Sequence, residues 1–196
     1  MSALPVEPVP SDDYSWDDLV RIWEETDVPE GCKVEIIKGQ LVVTPPPANF
    51  HNSIASRLQR MLLTVIPEDW GVFQTLGVAV PSRSGLFIPD LAVAPESVVD
   101  VPGNFIMAGE TELIAEITSK SNAEQDRVVK PAGYAQAGVP LYLLIDRWAP
   151  GGPTITLFGE SNDGVYRTLQ ATKFGEKIHL PAPFDLTIDT SVFPGA

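Results

Sequence analysis

Residues 113–120 read LIAEITSK. Leu113, Ile114, Ala115 and Ile117 are what a core strand requires, and Glu116 is not. A carboxylate inside an apolar run must be paired, protonated or bound to a cation, because burying it alone is costly. Strand alternation puts Ile114, Glu116 and Thr118 on one face. The preceding strand has its own intruder. In LFIPDLAVA (86–94), Asp90 follows Pro89 and precedes Leu91, with apolar residues on both sides. Two acids in consecutive apolar strands suggest carboxylates that meet across a sheet and repel one another. A hard divalent cation such as Mg²⁺ answers both difficulties, since it favours oxygen ligands and keeps several waters. Taken singly, each acid has a plainer reading. A buried acid is commonly matched by an arginine or a backbone N–H, and a strand-end aspartate is often a turn former.

Outward from this pair, NAEQDRVVKPAGYAQAG (122–138) reads as a helix, with Asn122 near its start and Gly138 near its end. PLYLLID (140–146) reads as the next strand. Strand, helix, strand at this spacing predicts a right-handed crossover and parallel pairing. On that helix Asp126, Arg127 and Lys130 read, by themselves, as a solvated face. GVFQTLGVAV (71–80) and GLFIPDLAVA (85–94) read as two strands. A helix opening at Asn49 carries Ile54, Leu58, Leu62 and Val65 on one stripe, with Arg57 and Arg60 off it. KVEIIKGQLVVT (33–44) predicts a hairpin turning near Lys38-Gly39, stopped by three prolines. Ser15 caps a helix in SWDDLVRIWEET (15–26). Residues 1–14 are Pro-rich and acidic, and are expected to form a flexible tail. Residues 15–196 are expected to form a single domain. From Thr154 onward, short strands and turns without obvious chemistry are expected.

The chain has 196 residues, 44% of them hydrophobic, and a formal net charge of −13. That charge argues against a general nucleic-acid coat protein but leaves room for a local basic cleft. One cysteine, Cys32, permits no internal disulfide, and with no signal-peptide pattern the expected compartment is cytoplasmic. No apolar run approaches the roughly 18 residues of a membrane span. The G-x-S-x-G, P-loop and H-E-x-x-H templates are absent. Two histidines and one cysteine argue against a structural zinc site.

Six segments together resemble the Uma2 family of the PD-(D/E)XK restriction-endonuclease-like superfamily. They are VEIIKGQLVVTPPP, His51, IPDLAVAP, AEITS, the trio Asp126, Lys130 and Tyr134, and AGVPLYLLID. The similarity covers roughly residues 30–150. It implies an α/β (α+β) fold, a mixed central β-sheet flanked by helices, with a metal site on the sheet. Asp90, in the PD pair, would be a metal ligand, and Glu116 the second. Thr118 stands where the superfamily pattern has lysine. The Uma2 pattern places the lysine on the next helix, here Lys130. Lys120 is a substitute of the right strand parity, but four strand residues put it about 13 Å from Glu116. Glu35 would complete the shell or merely pair with a hairpin lysine. His51 would act as a proton shuttle or as a helix-start hydrogen bonder, and Tyr134 would pack. Pro131 disturbs a helix interior and leaves the direction of Lys130 open.

The function implied is an endonuclease dependent on Mg²⁺ or Mn²⁺. It would hydrolyse phosphodiester bonds of nucleic acid, DNA ahead of RNA, with a homodimer admissible and no membrane partner. Two rivals stand beside it. One is a binding or assembly module keeping a relict site, and the other is a small-molecule phosphohydrolase. An active nuclease needs an open cleft with Arg57, Arg60, Lys120, Arg127 or Lys130 on its rim.

Overall fold

A computed structural model describes residues 14–195. The tail expected over residues 1–14 lies, apart from Tyr14, outside the described residues.

Helix α1 (Trp16–Glu25) starts on a capping box. The Ser15 hydroxyl accepts from the Asp18 N–H, and the Asp18 carboxylate accepts from the Ser15 N–H. Strands β1 (Lys33–Ile37) and β2 (Gln40–Thr44) form the expected hairpin. Both turn residues, Lys38 and Gly39, have positive φ, the requirement of a tight two-residue turn. Pro45 to Pro47 then end the ladder. Helix α2 (Asn49–Leu62) buries Ile54, Leu58 and Leu62.

The next two segments depart from the simple strand reading. GVFQTLGVAV divides into β3 (Trp70–Phe73) and β4 (Gly77–Val80). GLFIPDLAVA divides into β5 (Gly85–Phe87) and β6 (Leu91–Pro95). The first break contains Thr75, a non-glycine residue at φ +62° that cannot continue an extended run. The second contains Pro89, which has no N–H for a ladder. Because β4 pairs with β5 and β3 with β6, the two segments form one long hairpin bent midway. Its tip belongs to one sheet and its base to another.

Helix α3 (Glu96–Val99), β7 (Phe105–Met107) and β8 (Leu113–Ile117) follow. Next come a single π-helical segment (Gln125–Val129), α4 (Lys130–Ala137) and β9 (Leu141–Asp146). Gly138 closes α4 at φ +82°, as the sequence predicts, and β8 and β9 pair in parallel. The C-terminal region builds more than short strands. β10 (Thr154–Asn162) and β11 (Val165–Lys173) are nine residues each and extend the sheet beyond β9, before a small hairpin of β12 (Lys177–Leu180) and β13 (Leu186–Asp189).

The sheet orders are β2-β1-β5-β4-β7 and β11-β10-β9-β8-β6-β3. The mixed sheet and flanking helices are those expected, with the strands parted into two ladders. Opposite faces of the six-stranded sheet bury different cores. Leu113, Ala115 and Ile117 pack with α2 and the β12–β13 hairpin. Ile114, Tyr142 and Leu144 pack with Tyr134 of α4 and with Val78, Val80 and Phe87 of the other sheet. Glu116 shares the parity of Ile114, so its side chain enters the seam between the sheets and α4. Among the described residues no helix is long and apolar enough to cross a membrane.

Candidate active site

The antiparallel register of β6 on β8 pairs Leu91 with Ala115. One step further along this register, Asp90 lies beside Glu116. The Ile117 N–H donates to Asp90 Oδ2 at 2.8 Å. Lys33 Nζ donates to Asp90 Oδ1 at 2.8 Å, and His51 Nε2 lies 2.9 Å from Oδ2. His51 therefore joins the site from the first turn of α2, and its Nδ1 is buried with no partner.

From β1, Lys33 and Glu35 share a face by alternation. They take the two backbone groups of Ile88, stranded between β5 and β6. The Ile88 N–H donates to Glu35 Oε1 at 2.8 Å, and its carbonyl accepts from Lys33 Nζ at 3.3 Å. The hairpin lysine thus pairs with Asp90 and not with Glu35.

The third contribution comes through the π-helical segment. The Lys130 N–H donates to the Gln125 carbonyl, five residues back. This wider turn ends where Pro131 brings no N–H, so the proline sits within the first two positions of α4 and its missing donor disrupts nothing. Asp126 and Lys130 both point inward as a result. Lys130 Nζ lies 2.9 Å from Glu35 Oε1, 3.0 Å from Glu116 Oε1 and 3.5 Å from Asp126 Oδ1. Asp126 and Lys130 are each 2% exposed, which corrects the reading of this stretch as a solvated face. Tyr134, one turn on, packs against Phe87 and Tyr142, and its O–H donates to Glu116 Oε1 at 3.0 Å.

Thr118 ties strand ends together. Its hydroxyl donates to Asp146 Oδ1 at 3.0 Å and accepts from the Arg147 N–H at 3.1 Å. Arg127 grips the same Asp146 through Nε (2.7 Å) and Nη2 (3.0 Å), so it is a tether and not a rim cation. Arg57 and Arg60 are also off the rim, lining a separate groove with Met61 and Leu186. Lys120 lies on the rim, its Nζ 5.6 Å from the centre of the Trp148 ring. The cleft over the acids measures about 310 Å³, and the proline loop, Arg147 and Trp148 are among its lining. The sequence reading left out Lys33, Arg147 and Trp148, and named Asp126 only within the family-like trio and on a solvated face, without a role in the site. The Lys-x-Glu alternation of β1 and the four-residue spacing of Asp126 and Lys130 were the available signals for Lys33 and Asp126. Arg147 and Trp148 carried none.

Burial sets the electrostatics. It pushes the Glu116 carboxyl up to about 8, against the pull of Lys130 and with the help of Asp126, Asp90 and Glu35. Asp126 rises to about 6, again chiefly by burial. Burial would raise Asp90 as well, but the His51 hydrogen bond and the Lys33 charge hold it well below the carboxylate range. Burial would lower Lys130, yet Glu116, Glu35 and Asp126 keep it well above its ordinary value.

Four carboxylates, Glu35, Asp90, Glu116 and Asp126, face two lysines. Among the described residues no three His, Cys, Asp or Glu side chains are grouped as a ready ligand set for a metal. The donor chemistry nonetheless suits a hard divalent ion, which binds through one or two carboxylates and waters. Asp126 Oδ1 is buried without a hydrogen-bond partner, and the negative groups are in excess.

A family model, Uma2, described as "Putative restriction endonuclease", matches residues 16–191. No curated protein matches the chain. A crystal structure from Anabaena variabilis ATCC 29413, described as a "putative nuclease belonging to DUF820", has a similar fold. Its TM-score is 0.68 at 17% identity, covering 91% of this chain and 96% of that one.

Proposed function

This chain belongs to the Uma2 family, and on that premise we propose that it is a metal-dependent endonuclease hydrolysing nucleic-acid phosphodiester bonds, DNA ahead of RNA. The observation that carries the proposal is Lys130, an ammonium held by Glu35 and Glu116 at the floor of an open cleft beside Asp90. Asp90 and Glu116 would hold Mg²⁺ or Mn²⁺. When bound, such an ion supplies charge to a phosphate oxygen and lowers the pKa of a water. Lys130 stabilises negative charge developing on the phosphate, as a fixed cation in a water-poor site does. Glu35 and Asp126 orient that ammonium. His51 and Lys33 fix the direction of the Asp90 carboxylate.

A second reading rests on Asp90 itself. Both its oxygens are already engaged, by Lys33 and by His51 with the Ile117 N–H. That arrangement suits a binding module whose ancestral metal site has closed.

Cleavage of plasmid and of single- and double-stranded oligonucleotides, with Mg²⁺, Mn²⁺ or EDTA, separates the two. Cleavage is expected with metal only. Lys130→Met should lower it about a hundredfold or more while calorimetric Mn²⁺ binding persists, since lysine is no ligand. Asp90→Asn should lose both. Lys120→Ala should retain cleavage. Cleavage that survives Lys130→Met but not Lys120→Ala reverses the assignment. A wild type that neither cuts any of these nor binds Mn²⁺ establishes the module. Activity confined to a phosphomonoester points to a small-molecule phosphohydrolase.

A further inference from the structure

Two cleft cations, Lys120 and Arg147, have side chains that make no ion pair among the described residues, and of the two only Arg147 is buried. It is 8% exposed, its Nε is buried with no hydrogen-bond partner, and it lines the cleft that opens over Lys130. In a chain of net charge −13 an unclaimed guanidinium is conspicuous, because carboxylates are abundant and Arg127 nearby has taken one. What Arg147 touches instead is aromatic. Its guanidinium carbon lies 5.2 Å from the centre of the Phe50 ring and 5.7 Å from that of Trp148. Lys120 Nζ approaches Trp148 as well, at 5.6 Å. Phe50 is 51% exposed and Trp148 42% exposed. Large aromatic faces left in water beside a buried, unpaired cation form a surface that burial economy alone does not explain.

We propose that Phe50, Arg147 and Trp148 are the substrate-binding rim of the cleft, and that they take a single-stranded or locally unpaired stretch of nucleic acid. Arg147 holds a backbone phosphate, and the two rings stack on bases flanking it. This deepens the nuclease reading and rests on it for the identity of the substrate. Three features select the unpaired strand. Stacking on protein aromatics requires bases free of their own duplex stack. The charged floor lies deep, with Glu116 and Lys130 each 2% exposed, and a thin single strand enters such a cleft where a duplex cylinder is stopped at the lip. The basic groups at the cleft number few against an acidic whole. This suits a short contact reinforced by stacking and not a long run of duplex phosphates.

Binding is measured in EDTA, where hydrolysis does not interfere, by fluorescence anisotropy of a labelled thymidine oligonucleotide and of a duplex of equal length. The single strand should bind about tenfold tighter or better. Arg147→Met should weaken it about tenfold, and Phe50→Ala, at an exposed position whose loss leaves the core intact, should weaken it severalfold. Quenching of tryptophan fluorescence on binding should vanish in Trp148→Leu. Equal or tighter duplex binding overturns the proposal, as does unchanged affinity in Arg147→Met and Phe50→Ala, or no binding of either nucleic acid. If the single strand binds as expected but nothing is ever cut, the nuclease reading fails and the rim assignment stands. If duplex is cut while single strand is neither bound nor cut, the reverse holds.

Discussion

Glu116 retains its proton at a pH where an exposed glutamate has lost it, and that has a measurable consequence for the metal-free protein. Its carboxyl titrates near 8 in the fold against an ordinary 4.5. Between those values the native state binds a proton that the unfolded chain has released, so unfolding sheds protons and stability must fall as pH rises. Asp126, raised to about 6, adds to the slope in its lower half. The melting temperature in EDTA should therefore decline from pH 4.5 to about 8 and level off above. Glu116→Gln should flatten the upper part of that decline and, at high pH, melt no lower than wild type, because it removes one of four crowded carboxylates. A profile that rises with pH, or a variant that melts far lower throughout, would show that the Lys130 pairing outweighs the cost of burying Glu116 as an anion. The sequence made this residue legible because a charge in an apolar strand is conspicuous. It named Asp126 only within the family-like trio, and the helix looked ordinary until the π turn rotated that side chain inward.

Thr118 shows how element ends carry the site. The strands β8 and β9 were readable from their apolar runs, and their parallel pairing from the helix between them. What joins their C-terminal ends was not readable. The Thr118 hydroxyl links Asp146 of β9 to the Arg147 N–H just past it, a bond between side chain and backbone that no periodicity announces. Thr118→Val keeps the shape and deletes the hydroxyl, leaving a buried N–H without its acceptor. That costs about 1–3 kcal/mol, readable as a lower urea midpoint with unchanged slope, and Thr118→Ser should recover most of it. Single-strand affinity should drop in the valine variant too, since Arg147 loses its anchor. A midpoint equal to wild type would mean that water replaces the hydroxyl and that the strand ends need no post. The bend in the long hairpin was equally illegible as geometry. Residues 85–94 read as one strand with Asp90 inside it, and only the register of both sheets shows that the chain breaks at Pro89 and passes from one sheet to the other.

Across the whole molecule the acids occupy the seam where the two sheets exchange strands, and the same charges that suit chemistry also hold that seam. Ile88 is the hinge of the bent hairpin, and its N–H and carbonyl are taken by Glu35 and Lys33 of the neighbouring hairpin. Glu35 thus has two separable duties. As an acceptor it satisfies the Ile88 N–H, and as an anion it helps hold Lys130 at 2.9 Å. Glu35→Gln keeps an acceptor oxygen and removes the charge, so its stability should stay close to wild type while metal-dependent cleavage falls. Glu35→Ala removes both and strands the Ile88 N–H, which costs about 1–3 kcal/mol. Urea denaturation of the pair, beside their cleavage rates, separates the duties. If alanine and glutamine are equally stable, the seam does not depend on this bond. If both cut as fast as wild type, Lys130 needs only Glu116 and Asp126 to stay in place. Loss of stability in alanine alone, with activity lost in both, is what a site built into the junction of two sheets requires.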